Sequence, residues 1–386
     1  MRENRPYGSE GGVAGQPAIP TPIEGWQPSG VGGPGFARTG TQWLDDRLGL
    51  RAWLRTRLPA VPASRSAWRS LGAILVFFFA LQILTGILLL FHFAPDPEHA
   101  FESVRRIMRE VPYGWLVRLV HAHGANLLVA ALFAHLVATA WTGAYKAPRE
   151  LHWWTGCLLL LLGLGAALTG YILPWSQLSY WATTIVTSTL GYVPVLGDDL
   201  VAFVRGSERV GTATFRRAFA AHVALLPLAM LGLVALHVAL ARRTGVAPRP
   251  RRQSAAGARE ETEPRRPAAP LEIAAAVTGA FALLVGFVVF APNVFFPPQS
   301  FAPANPLETP PGVKPEWYFV WLYELPRLLS EEVALGLQGL AILTLFALPL
   351  LDRGPRRHPR DRPFVSAAIV AGALAWLVLT VLGYRE

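Results

Sequence analysis

Seven stretches of about twenty mostly apolar residues recur along this chain, at roughly 68–93, 115–143, 151–173, 217–241, 271–291, 333–351 and 364–383. Each is long enough to cross a bilayer as a helix. In hydrocarbon every backbone N–H and C=O must find its partner within the segment, so open strands and loops are excluded there. The fold class that follows is an all-α membrane protein with seven transmembrane helices. A composition of 52% hydrophobic and only 16% charged residues agrees with it.

The net charge of +10 would suit a nucleic-acid partner, but the position of the charges argues against one. They cluster in loops beside apolar runs. RRTGVAPRPRRQSAAGAREETEPRRPAAP, after the fourth run, holds eight arginines, and DRGPRRHPRDRP, after the sixth, holds five more. The loop after the second run carries Lys146 and Arg149. The positive-inside rule puts these three loops and the N-terminus in the cytoplasm. The other three loops then face outward; they are long, and long ordered loops tend to carry function. Residues 1–40 are Gly/Pro-rich, show no signal peptide and are expected to be a disordered cytoplasmic tail. Residues 41–65 begin TQWLDDRLGLRAWLRTRL, an amphipathic basic segment suited to the lipid surface. The expected division is then a four-helix domain over 66–242, a basic cytoplasmic linker over 243–270 and a three-helix domain over 271–386. The one cysteine, Cys157, rules out an internal disulfide and an all-cysteine metal site.

Polar groups inside such helices are costly unless satisfied, so those that do occur point to function. The second run contains HAHGANLLVAALFAH, from His121 to His135. Fourteen residues of helix rise about 21 Å and complete nearly four turns. The two histidines therefore share a face, one near each membrane surface. The fourth run repeats the device with His222 and His237. Two rungs result, His121 with His222 and His135 with His237. Neutral imidazole is a good axial ligand for haem iron, and two of them give a low-spin electron-transfer haem. One pair would be explained equally well by hydrogen bonds to a neighbouring helix; two pairs at matching depth favour iron. The remaining histidines, His92, His99, His123, His152 and His358, read as ordinary residues of loops, helix ends or another face.

A haem is a disc wider than the gap between packed helices, so small residues must line its edges. Gly72 and Gly86 in the first run, and Gly156 and Gly170 in the third, repeat the fourteen-residue spacing. Bare backbone lets a ligand approach closely; ordinary small-residue helix packing is the alternative. His222 and His237 are fifteen apart, which puts them about 60° out of register on an ideal helix. Pro227 between them is expected to kink the helix and absorb the mismatch.

With these residues in view, the chain resembles cytochrome b of the quinol-oxidising bc complexes and the related bf complexes, over about residues 66–384. GWLVRLVHAHGA, GYILPWSQLSYW, PANPLETPPGVKPEWYF and the two histidine pairs carry the likeness. The layout is similar to a fusion of the four-helix bf-type cytochrome with its three-helix partner subunit, while KPEWYF is closer to the bc branch. Two positions depart from the bf pattern. Ser70 stands where that branch has a cysteine holding an extra haem, so no covalent haem is expected. Ala138 stands where it has an arginine three residues after the second histidine.

The resemblance implies a dihaem cytochrome b subunit of a quinol–cytochrome c oxidoreductase, with two non-covalent b-type haems. It implies quinol oxidation at an outer site and quinone reduction at an inner one. Glu316 of PEWY is the implied proton acceptor. Tyr171 and Tyr318 add hydrogen bonds, and Trp181 and Trp317 shape the pocket. Arg118, three residues before His121, can neutralise a haem propionate. Arg242 matches an inner quinone-site arginine and is equally well read as a positive-inside anchor. The sequence has no Cys/His cluster for an iron–sulfur centre and no CxxCH for c-type haem. The implied Rieske iron–sulfur protein and c-type cytochrome are therefore separate chains, in a dimeric assembly of the bacterial inner membrane. Two other classes also present paired histidines: a dihaem membrane anchor of a dehydrogenase, which has no need of PEWY, and a proton-coupled transporter without haem.

Overall fold

The computed structural model describes residues 67–245, 247 and 270–385. The expectations for the 1–40 tail, the 41–65 segment and most of the 243–270 linker lie outside these residues. The seven apolar runs are helices: α1 (Ala67–Leu90), α3 (Gly114–Trp141), α4 (Glu150–Ile172), α8 (Leu226–Thr244), α9 (Pro270–Phe290), α11 (Glu331–Leu351) and α12 (Pro363–Arg385). Shorter helices α2 (Ala100–Arg109), α5 (Gln177–Ser188), α6 (Gly197–Arg205) and α10 (Trp317–Leu328) lie in the three long loops opposite the arginine-rich end. Another, α7 (Thr212–Ala220), runs through one π turn (Ala221–Leu225) into α8, making a continuous span of 33 residues.

Prolines shape these spans. Pro227 has no N–H to give to Val223, and the chain before it widens. The Leu226 N–H reaches back five residues to Ala221 O. A π turn of this kind inserts one residue without breaking the helix. It takes up the residue by which His222 to His237 exceeds fourteen, so the register is restored by a wide turn rather than by the expected kink alone. In α11, Pro349 leaves Leu345 O without its helical donor. Trp153 Nε1 of α4 takes that carbonyl at 2.8 Å, and Trp154 Nε1 takes Phe346 O at 2.8 Å. In α10, Pro326 frees Leu322 O, which Gln338 Nε2 of α11 meets at 3.3 Å. An unmet carbonyl is costly in hydrocarbon, so these two prolines become helix-to-helix ties.

Two apolar clusters help dock the three-helix part on the four-helix part. α1, α3 and α9 pack through Phe78, Leu119, Leu284 and Val288. α3 and α4 meet α11 through Ala140, Trp153 and Cys157, against Leu345 and Phe346. Cys157 is wholly buried there, in a packing role.

At the arginine-rich end the α3–α4 and α11–α12 loops are locked by a buried ion cluster. Asp352 accepts from Lys146 Nζ at 2.6 Å, from Arg362 at 3.0 Å and from the Tyr145 hydroxyl. Arg362 also donates to Trp141 O at 2.8 Å, at the end of α3. Burial works to raise the Asp352 carboxyl, but its hydrogen bonds from Lys146, Tyr145 and Arg362 hold it below the usual carboxylate range. The Lys146 and Arg362 side chains are only 5% and 3% exposed, so water cannot take over the carboxylate's role. Asp352→Ala leaves two buried cations without their counter-charge and is expected to cost about 3–5 kcal/mol. Thermal unfolding in detergent measures it; an unchanged midpoint would mean that apolar packing alone holds the loops.

Candidate functional site

His121 and His135 lie on α3, and His222 and His237 on the α7–α8 span. At the outer rung the His121 and His222 rings are 6.1 Å apart between centroids and nearly perpendicular, at 80°. Metal–imidazole bonds are about 2 Å long, so two of them plus the half-widths of two rings fill that distance.

Hydrogen bonds fix the tautomers. Thr85 Oγ1 donates to Leu81 O at 2.7 Å, so it accepts from His121 Nδ1–H at 2.8 Å. Thr155 Oγ1 donates to His152 O at 2.9 Å, so it accepts from His237 Nδ1–H at 2.9 Å. His222 Nδ1–H donates to Ala166 O at 2.9 Å. In each neutral ring Nε2 is therefore the nitrogen that carries a lone pair, the atom and state that an iron takes; at His237 that lone pair faces His152.

Three of the four glycines sit against these rings. A Cβ on Gly86 would lie 3.4 Å from His121 Cε1, one on Gly156 3.3 Å from His237 Cε1, and one on Gly170 2.4 Å from His222 Cε1. Gly72 differs, since a Cβ there would meet nothing within 4 Å. Each glycine of the first three follows a threonine, at Thr85, Thr155 and Thr169. The Thr-Gly doublet is a signal that spacing alone passes over. At two of them the threonine hydroxyl itself fixes the ring; at the third, Ala166, one turn earlier, does so.

A cavity of about 480 Å³ opens beside the outer rung. Its walls include His121, His222, Gly86, Gly170 and Arg118, and also Glu316, Tyr171 and Tyr318. Residues from five distant parts of the sequence thus share one space. Gln82 lines it too, with its amide nitrogen buried and unpartnered, a donor with no acceptor. Arg118 stacks over Phe296, 4.9 Å from the ring centroid, and no carboxylate among the described residues pairs with it. An orphaned amide, an unpaired cation, bare ring nitrogens and a glycine cradle together fit a flat anionic metal complex such as haem.

Glu316 immediately precedes α10, and burial pushes its carboxyl up to about 7. Its neighbour Trp317 donates Nε1–H to Asn126 Oδ1 at 2.8 Å, pinning the segment to α3 close to His121. Burial likewise pushes the Tyr318 hydroxyl well above its ordinary value. Trp317 and Trp181 do not line the cavity but stand behind its wall; Trp181 donates to Asn305 O at 3.2 Å. Gln177 accepts from Asn305 N at 2.9 Å, which helps stitch the 302–308 loop to the start of α5.

At the inner end His135 is near enough to interact electrostatically with both His237 and His152. The expectation for His152 is corrected here: it is no bystander, because its Nε2 lies 3.0 Å from Nε2 of His237. His123 faces elsewhere, as expected, fully buried with Nε2–H donating to Pro292 O at 3.0 Å. Arg242 is exposed in the last turn of α8, apart from the buried groups. Ser70 is buried in α1.

Half-buried imidazoles on two spanning helices, three of them held through Nδ1 so that Nε2 carries the lone pair, fit a haem-binding membrane protein. Comparison with known proteins makes this specific. The family described as Cytochrome b/b6/petB matches residues 57–245, and Cytochrome b(C-terminal)/b6/petD matches 303–386. A cytochrome b of Rickettsia prowazekii is 34% identical over 89% of this chain and 86% of its own length. One of Rhodospirillum rubrum is 36% identical over 83% and 80%. A longer Cytochrome b/c1 of Bradyrhizobium diazoefficiens is 34% identical over 86% of this chain, and the chain spans only 50% of its length. A solved structure titled Hyperthermophilic respiratory Complex III superposes with a TM-score of 0.77 at 33% identity, covering 89% of this chain and 91% of that one. The chain belongs to the cytochrome b family, the haem-binding membrane subunits of bc1-type quinol–cytochrome c oxidoreductases. A haem-free transporter is no longer a reading of its histidines.

Gly170→Ala places a methyl carbon inside van der Waals contact of the His222 ring and is expected to displace it. Haem extracted per polypeptide should fall in this variant; full retention would show that His222 can move without losing its ligand.

Proposed function

We propose that the chain carries two non-covalent b-type haems, one held by His121 and His222 and one by His135 and His237. The observation that carries this is the locking of Nδ1 in three of the four rings, which leaves the lone pair of each on Nε2. When bound, the haems supply one-electron carriers, so that one of a quinol's two electrons crosses the membrane while the other leaves to a Rieske iron–sulfur partner.

The side chains supply the rest. Quinol enters the outer cavity, where the Tyr171 and Tyr318 hydroxyls offer hydrogen bonds to its oxygens. The Glu316 carboxylate accepts a hydroxyl proton and releases it toward outer water. Arg118 neutralises a haem propionate at the outer rung. Arg242, at the arginine-rich end of α8, is the cation available to an inner quinone site. Residues 66–242 hold the haems, and 271–386 complete the outer site through PEWY. A dehydrogenase anchor has no use for a carboxylic acid beside its outer rung, and the place of Glu316 in the cavity favours the quinol reading. The c-type cytochrome is a further separate chain, and the complex is a dimer. Loop charge supports a cytoplasmic N-terminus in a bacterial inner membrane.

Replacing His135 or His237 by leucine should remove one b haem and spare the other, counted by pyridine haemochrome and by redox titration. Two full low-spin haems in either variant would show that the rung is misassigned.

Glu316 must be ionised to accept a proton. Below pH about 7 its carboxyl is mostly protonated, so quinol oxidation is expected to rise with pH through about 7 and level off above. Glu316→Gln should slow turnover about a hundredfold or more and abolish that rise while keeping both haems. A turnover and pH profile matching the parent protein would rule the role out.

A further inference from the structure

The inner rung holds a hydrogen bond that cannot survive the binding of its own ligand. His237 gives its Nδ1–H to Thr155, so its Nε2 can only accept. The 3.0 Å contact with His152 Nε2 is therefore a donation from His152 to His237. One lone pair serves one N–H or one metal ion, not both. Iron at His237 leaves His152 with an N–H and no acceptor, and an unmet donor in a low-dielectric site is costly.

Among the described residues His152 Nε2 has no hydrogen-bond partner other than His237 Nε2. Ala138, one turn beyond His135, has no polar side chain. Arg149, three residues before His152, is buried with its Nε unpartnered, so it adds an unmet donor and not an acceptor.

Haem brings its own acceptors. Its faces are apolar and its two carboxylates lie on one edge, which must point toward a polar helix end. His152 is in the first turn of α4, at the arginine-rich end. The molecule that takes the His237 lone pair thus carries a new acceptor to the same place. We propose that His152 is a positioning residue that donates its Nε2–H to a carboxylate of the inner haem, exchanging His237 for it when the haem binds; this rests on the two-haem reading above.

A donor on that carboxylate tempers its negative charge, which otherwise favours the oxidised iron. The complex in native membranes, with His152→Phe and His152→Gln beside the parent, is titrated optically for both haem midpoints. The phenylalanine variant is expected to shift the inner haem alone toward the oxidised form by about tenfold, which is about 59 mV for one electron. Glutamine, which keeps an N–H donor, should restore most of the shift, and loss of the inner haem in the phenylalanine variant alone would support the same role. An unmoved inner midpoint in His152→Phe with both haems present overturns the proposal, and so does loss of that haem in both variants. A parent protein with one haem overturns the two-haem reading itself, and this inference with it.

Discussion

A ring nitrogen held by an oxygen, so that the opposite nitrogen carries the lone pair, is the interaction from which the rest of this molecule follows. Hydrocarbon does not tolerate an unsatisfied imidazole. Each of three histidines meets that demand halfway: Nδ1 is bonded to Thr85, Thr155 or Ala166, and Nε2 is left with its lone pair. The oxygens sit on α1 and α4, and the rings on α3 and the α7–α8 span. Four helices must therefore stand at fixed heights and rotations for the bonds to exist. The glycines beside Thr85, Thr155 and Thr169 let those helices come close enough to make them.

The same rule of full satisfaction governs the helices themselves. Pro349 and Pro326 each remove a backbone donor, and a side chain of the adjoining helix supplies another. Pro227 is treated differently, by a π turn that keeps His222 on the face of His237. A device that would weaken a helix in water here joins two of them or corrects a register. The outer loops exploit the rigidity so gained. Trp317 bonds Asn126 of α3, and Glu316 is carried with it into the cavity that contains His121 and His222.

Much of this was legible in the residues. Apolar length gives the seven spans to within a few residues, except that the fourth begins earlier, at Thr212. The fourteen-residue interval puts His121 and His135 on one helix and picks out Gly86, Gly156 and Gly170, which lie against histidine rings, because helical period is a local property. What stayed hidden is what depends on tertiary neighbours. His152 looks like an unremarkable helix-start residue until α8 is placed against α4. Trp181 and Trp317 read as pocket walls, whereas the fold turns them into its braces. Asp352, Lys146 and Arg362 look like cytoplasmic loop charges, and only the meeting of two distant loops reveals a buried cluster. The Thr-Gly doublets were in plain view, and their meaning required knowing which ring each hydroxyl faces.

The central claim is that each chain presents two bis-imidazole sites. Its most direct test is a combined measurement on the oxidised, purified complex: haem per cytochrome b polypeptide, and the spin state of each haem by electron paramagnetic resonance. The expected result is two non-covalent haems per chain, both six-coordinate and low-spin. One haem per chain, or a high-spin signal from a site lacking its second imidazole, would contradict the account.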